Sequence, residues 1–397
     1  MSLPFGRNYP WLAPLAGYSD LPFRILCRES GAAAACTEMV SARGLVCGLK
    51  RRSGDGKEPG FELLRTHPAD NPLVVQLFGA EPEYLAAAAR ELVGRGYMYF
   101  DLNMGCPAPK VVKSGAGAAL LRDPARAALV ARALFRAAGE GRAGCKLRLG
   151  ADAATSVYLE LGQRLADEGA AWLTLHPRHG KQGFSGIADV KAVELLAGKV
   201  NIPVLASGDL FLADDAVKYL NVGATGVMFG RGALADPFIF RKYLALAASG
   251  SENARPDGPS YAPGAPGGEN ALDAANAKEA AFDRGAEQAF CAPDAEDASY
   301  GGSSRQALDA LLRHAHLSRT LLPAPVEGRI SPALLKMRSI APRYLRNSPG
   351  IKRLRAELIR CRTWEELYDV LRGFFPGHPE YIWNDAGAIR REGEACG

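Results

Sequence analysis

The segment DLNMGCPAPKVVKSGAGAALL, residues 101–121, sets an amide (Asn103), a thiol (Cys106) and an amine (Lys110) on one loop, with the small residues SGAG (114–117) just beyond. A lone cysteine is most often an inert small hydrophobe. Cys106 departs from that pattern because it stands between Gly105 and Pro107 at the end of an apolar run. Lys146, inside CysLysLeuArgLeu, occupies a run where a buried strand ordinarily carries only apolar residues. A cation there needs an anion or an electron-rich partner. Beside the N1/O2 edge of a flavin it would stabilise the anionic reduced ring, and a carboxylate on a neighbouring strand is the alternative. His176 and Arg178, in HPRHGKQGFSG (176–186), are two residues apart and so share one side of a strand end. Their imidazole and guanidinium suit a cofactor phosphate or an RNA phosphate, or else a cap and a surface cation. SerGlyAsp (207–209) and GlyArgGly (230–232) close the series.

All of these residues lie where short apolar runs stop. Eight such runs begin near WLAPLAG (11–17), AAACTEM (33–39), LVVQLFG (73–79), YFDLNMG (99–105), GCKLRLG (144–150), WLTLHPR (172–178), IPVLASGD (202–209) and GVMFGRG (226–232). Ala/Leu-rich helical stretches separate them, the pattern of βα units around a parallel sheet. Eight units in about 240 residues predict a TIM (β/α)8 barrel. No GxGxxG follows the first run, which argues against a doubly wound dinucleotide fold. In a barrel these run ends form the catalytic face, and the last two are where phosphate is commonly bound.

The chain has 397 residues, 48% of them hydrophobic, enough for one large domain and a small one. The barrel is expected over 1–248. Residues 249–304 are rich in Gly, Pro, Ala, Asn and Ser and carry ten Asp/Glu against three Lys/Arg, which predicts a disordered acidic insertion. Helical periodicity returns from 305, with fourteen Lys/Arg against six Asp/Glu up to 375. A small basic all-α domain with a C-terminal tail is therefore expected over 305–397. Such a basic face fits solvated surface as well as nucleic acid. The eight cysteines form no CxxC pair or Cys/His comb, so neither a disulfide scaffold nor a metal site is expected. MSLPFGRNYPW shows no charged lead into an apolar run, and no stretch is long and apolar enough to span a membrane. A cytoplasmic protein without membrane contact, monomeric by default, is expected.

These strand ends resemble those of the tRNA-dihydrouridine synthases. APLAGYSDLPFR (13–24) is similar to the family's opening APMAGVTDxPFR, residues 101–121 match its central motif almost throughout, and GVMFGRGALADPFIF (226–240) matches its closing barrel motif. The likeness covers about residues 11–240 and, more weakly, MRSIAPRYLRNSPGIKRLR; the HisProArg…Gln spacing is closest to the bacterial B-type branch. The resemblance implies FMN in the barrel mouth, NADPH as reductant, and tRNA held between barrel and helical domain. By the same resemblance, Pro14, Leu15 and Ala16 would border the isoalloxazine ring, with Gln76 and Lys146 at its polar edge and His176 beside it. Gly208, Gly230 and Arg231 would hold the phosphate, with Ser207 and Asp209 in the adjoining turn. Asn103 and Arg178 would face the uracil or its backbone, and Cys106 would be the acid. Hydride from flavin N5 would then reach C6 of the uracil while Cys106 protonates C5. Ser207 replaces the family's usual Asn, which shortens a contact to the flavin region or leaves it to water. Two other readings stay open: a flavin barrel acting on a free pyrimidine or other small enone, and a non-enzymatic RNA-binding protein on the same scaffold.

Overall fold

A computed structural model describes residues 3–50, 61–249, 304–325, 328–345, 349–374, 381–383 and 389–391. Eight strands, one from each apolar run, form the centre: β1 (Trp11–Leu12), β2 (Ala34–Cys36), β3 (Leu73–Phe78), β4 (Tyr99–Met104), β5 (Ala143–Arg148), β6 (Leu173–His176), β7 (Val204–Ala206) and β8 (Gly226–Phe229). Each pairs in parallel with the next, and β1 also pairs with β8 through Trp11↔Met228 and Leu12↔Phe229. The sheet therefore closes into the expected (β/α)8 barrel, and closure leaves no barrel strand with an open edge.

Strand alternation sorts the residues between two cores. Leu12, Ala35, Val75, Leu77, Phe100, Leu102, Cys145, Leu147, Leu173 and Leu175 pack outward with the helices. Trp11, Ala34, Cys36, Val74, Tyr99, Trp172, Leu205 and Met228 form a separate inner cluster. The indoles of Trp11 and Trp172 meet edge to face at 5.6 Å, and Phe5 caps both from the N-terminal side. Gly144 makes room for this floor, because a Cβ there would lie 2.3 Å from the Trp172 ring.

The helices start where Asp and Pro stand together. Asp20 accepts from the Phe23 N–H ahead of helix Leu21–Glu29, and Asp123 from the Arg126 N–H ahead of Pro124–Ala138. Each carboxylate satisfies an N–H that the first turn leaves open, and the proline gives up none that the helix needs. Arg24, buried on the first of these helices, donates to Asp70 (2.8 and 3.0 Å), to the Ser19 carbonyl and to the Arg65 carbonyl.

Four further helices, Ser304–Leu321, Pro332–Tyr344, Ile351–Leu358 and Trp364–Phe374, follow the barrel. The first packs on helix Leu21–Glu29, with Arg313 paired to Glu29, and the second sends Lys336 to Asp20 at 2.8 Å. A two-stranded antiparallel ladder, Tyr381–Trp383 with Ile389–Arg391, lies in the segment expected only as a C-terminal tail. The acidic insertion expected over 249–304 lies, except for its two end residues, outside the described residues. No helix among the described residues is long and apolar enough to cross a membrane.

Removing one partner of a buried ion pair strands the other without water. Asp70→Ala is therefore expected to lower unfolding free energy by about 3–5 kcal/mol in denaturant titrations; a loss under about 1 kcal/mol would show that Arg24 finds water or another partner.

Candidate active site

The inward positions change character along the barrel axis. On β3, Val74 belongs to the apolar floor and Gln76, two residues on, is polar; on β4 the order is Tyr99, Asp101, Asn103. On β5, Gly144 is followed by Lys146 and Arg148, and on the sixth run Trp172 by Thr174 and His176. Period two holds each set on one side of its strand. The chemistry thus collects at the C-terminal mouth, above an apolar plug.

One side of the mouth carries the thiol. Gln76 donates to Asp101 at 2.7 Å and accepts from Asn103 at 2.9 Å. The Asn103 side-chain oxygen then accepts from the backbone N–H groups of Gly105 (3.2 Å) and Cys106 (3.0 Å). Cys106 is buried with Ala108, Val111 and Ala116, against Met39 and Phe78. Gly117 is needed beneath it: its φ is +60°, and a Cβ there would meet the Cys106 carbonyl at 2.6 Å. Burial pushes the Cys106 thiol up, against the opposing pull of the Ala108 backbone and the Arg148 guanidinium. The group is a neutral S–H at physiological pH, fit to give a proton rather than to act as a thiolate.

The other side carries an excess of positive charge. Burial, then Arg148, Lys146, Arg178 and Arg231, hold the His176 imidazole well below its ordinary value, so it stays neutral. Burial also pulls Lys146 down, with Arg148 adding to the effect and Asp101 opposing it. Arg148 donates to the carbonyls of His179 (2.9 Å) and Gly183 (2.7 Å), and its guanidinium, like that of Arg231, lies over the Phe184 ring. Asp209 answers part of this charge. It takes two parallel bonds from Arg178 (2.7 and 2.6 Å), one from Arg231 (3.1 Å) and one from the Ala188 N–H.

Arg178, expected to face the uracil or its backbone, is 1% exposed, and its guanidinium bonds Asp209 and the carbonyls of Ser185 and Gly186. A fork so engaged orients the neighbouring loops. Asp209 likewise holds arginines, with φ at +46°. Ser207 and Gly208 lie between it and β7, and a Cβ at Gly208 would come within 2.7 Å of the His176 ring. The opening loop meets the closing one: Leu15 Cδ2 lies 3.6 Å from where a Gly230 Cβ would stand, and Ala13 donates to the Phe229 carbonyl. Leu15 is further pinned by Ser19, and Gly17, just past Pro14 and Ala16, by Glu38. Sequence reasoning passed over Asp101, Arg148 and Glu38. The first two were accessible from strand period alone, being two residues from Asn103 and Lys146. Among the described residues, no group of three or more His, Cys, Asp or Glu is placed to hold a metal.

A parallel (β/α)8 barrel with a buried thiol and a cluster of cations at its C-terminal mouth defines the class. The family model described as dihydrouridine synthase matches residues 11–261, and the chain belongs to that family. It is 38% identical over 229 residues to the probable tRNA-dihydrouridine synthase 1 of Synechocystis, covering 57% of this chain and 62% of that protein. It is 37% identical over 252 residues to the probable tRNA-dihydrouridine synthase of Treponema pallidum, covering 60% and 71%. It is also 34% identical over 244 residues to tRNA-dihydrouridine synthase B of Xanthomonas campestris, covering 60% and 70%. Among solved structures, morphinone reductase aligns with a TM-score of 0.44 at 15% identity over 60% of this chain and 86% of that one, too distant to bear on function.

Because burial raises the thiol, Cys106 is expected to alkylate with iodoacetamide more slowly than free cysteine at pH 8, the rate still climbing above about pH 9. Peptide mapping that showed a plateau below pH 8 would reveal a thiolate and overturn the neutral assignment.

Proposed function

We propose that this chain is a tRNA-dihydrouridine synthase that uses FMN and NADPH to reduce the C5=C6 bond of uridines in tRNA. The observation that carries the reading is the pairing, in one mouth, of a neutral buried thiol with a cationic wall that lacks an equal number of carboxylates. The mouth fits FMN. Its four cations call for an anion such as a phosphate and a reduced ring edge. Gly208, at φ +117°, leaves backbone open where a side chain would strike His176. Gly208, Gly230 and Arg231 would hold the phosphate, Gln76 and Lys146 the polar edge of the ring, and the loop Pro14 to Ala16 one side of it.

Bound FMN, reduced by NADPH, supplies the hydride. The remaining work falls to the chain's own groups. Cys106 keeps its proton until negative charge develops on the base, and its S–H bond then breaks as a C–H bond forms at C5. The sulfur is left as a thiolate, which the nearby Arg148 guanidinium favours, and is reprotonated from solvent before the next turnover. Asn103, whose amide is held by Gln76 and by the Gly105 and Cys106 N–H groups, would border the uracil beside the thiol. A stacked uridine cannot reach this depth, so the nucleotide must leave its stack, at a cost of a few kcal/mol. The basic helices beyond the barrel, with fourteen Lys/Arg against six Asp/Glu, supply phosphate contacts that offset it.

Cys106→Ala is expected to keep FMN and to slow single-turnover reduction of tRNA by about 10²–10⁴-fold, as followed by flavin reoxidation; an unchanged rate would refute the acid assignment. A reduced enzyme reoxidised by free uracil as fast as by tRNA would refute the RNA substrate. The lowered pKa of Lys146 supplies a second test. Only the ammonium attracts an anion, and it is lost as pH rises through the lowered value, so FMN affinity should weaken between about pH 7 and about pH 9, before an ordinary lysine of pKa ~10.4 would titrate. Lys146→Met should bind FMN more weakly and flatten that profile; fluorescence titration that showed the wild-type slope in the variant would exclude Lys146 as its origin.

A further inference from the structure

Asp101 lies on the inward face of β4, one step nearer the barrel floor than Asn103, and is completely buried. One carboxylate oxygen accepts from Gln76 Nε2 at 2.7 Å; the other, Oδ1, has no hydrogen-bond partner. Gln76 stands directly across the β3–β4 register from Asp101 and turns its own oxygen to Asn103 Nδ2 at 2.9 Å. Asn103 in turn presents its oxygen to the N–H groups of Gly105 and Cys106.

The direction of this chain is not set by shape. Exchanging the oxygen and nitrogen of a primary amide barely changes its outline, so two linked amides could run either way. Burial pushes the Asp101 carboxyl up to about 7, and the unpartnered Oδ1 is the oxygen free to carry a proton, so the oxygen facing Gln76 accepts in either state. With Asp101 at its foot, Gln76 must point Nε2 down and Oε1 up, and Asn103 must point Nδ2 back and its oxygen forward. Reversed, Asn103 would aim an NH2 group at two backbone donors and leave all of them buried without acceptors.

We propose that Asp101 is a positioning residue for the thiol: its carboxylate sets the direction of the Gln76–Asn103 relay and thereby pins the backbone of the loop that carries Cys106. The value of this for catalysis rests on the reading of Cys106 as proton donor; the geometry itself does not. Asp101→Asn keeps the size of the side chain but can offer Gln76 either an oxygen or an NH2, so the relay loses its direction. Gln76→Met cuts the relay at its middle while leaving the Asp101 charge in place. The exchange Asp101→Asn with Gln76→Glu restores an acceptor-only group next to Asn103, and with it the required direction.

The test is the rate of iodoacetamide alkylation at Cys106 in the purified full chain, alongside single-turnover reduction of tRNA. Asp101→Asn and Gln76→Met should each loosen the loop and speed alkylation by about fivefold or more, the loss of roughly one hydrogen bond, and should slow tRNA reduction. The exchanged pair should return the alkylation rate to within about twofold of wild type. An unchanged rate in Gln76→Met, or an exchanged pair as reactive as Asp101→Asn alone, would overturn the proposal. Should Asp101→Asn not fold, Gln76→Met decides. A wild-type protein that never reduces tRNA, yet shows the alkylation pattern, would sink the functional reading and leave the relay standing.

Discussion

Closure of eight short strands into a barrel imposes the constraint on which everything else depends. Once the ring is shut, every second side chain must enter a narrow interior, and the interior must be filled. Here the lower part is filled by Trp11, Trp172, Val74, Tyr99 and Met228, with Phe5 closing the bottom. Polar groups one and two steps higher therefore stand on an apolar floor and are themselves largely buried, where charge and hydrogen-bond direction count for more than in water.

The electrostatics of the mouth follow from that burial. Four cations within a low-dielectric rim would repel one another, and Asp209 offsets that by holding Arg178 and Arg231 together. His176 absorbs the remainder by staying neutral. The thiol loop follows β4, and Lys146 and Arg148 stand on the neighbouring β5, with Asn103 directly across the register from Lys146. The arrangement keeps a proton on sulfur at rest and yet has a guanidinium within range when that proton leaves.

Most of the scaffold was legible in the sequence because its signals are local. Eight apolar runs separated by helical stretches specify eight strands. Lys146 stood out as a charge inside an apolar run, and Cys106 through its loop. Strand period puts Asp101 on the same face as Asn103, but what it does there shows only once its register with Gln76 is known. The pairing of Arg178 with Asp209 was out of reach for a related reason: the two lie 31 positions apart, Asp209 just past β7, and no spacing rule predicts it. The terminal ladder, two strands of three residues, is too short to show a period.

The helical segment is bound into the site rather than appended to it. Lys336 reaches Asp20, the cap of the first barrel helix, at 2.8 Å and Glu38, just past β2, at 3.7 Å. Burial opposes its charge, but the two carboxylates outweigh that and hold its pKa above the ordinary lysine value. Glu38 also accepts from the Gly17 N–H, at the end of the loop that begins with Pro14. Burial, with a smaller push from Asp20, drives the Glu38 carboxyl up, and Lys336 is the first group that resists it. Without the lysine, a buried carboxylate would lack its counter-charge, and the loop it anchors would lose its fixed end. The surface that would meet RNA and the loop that would border the flavin are thus joined through Lys336, and through Arg343, whose guanidinium lies over the Tyr18 ring.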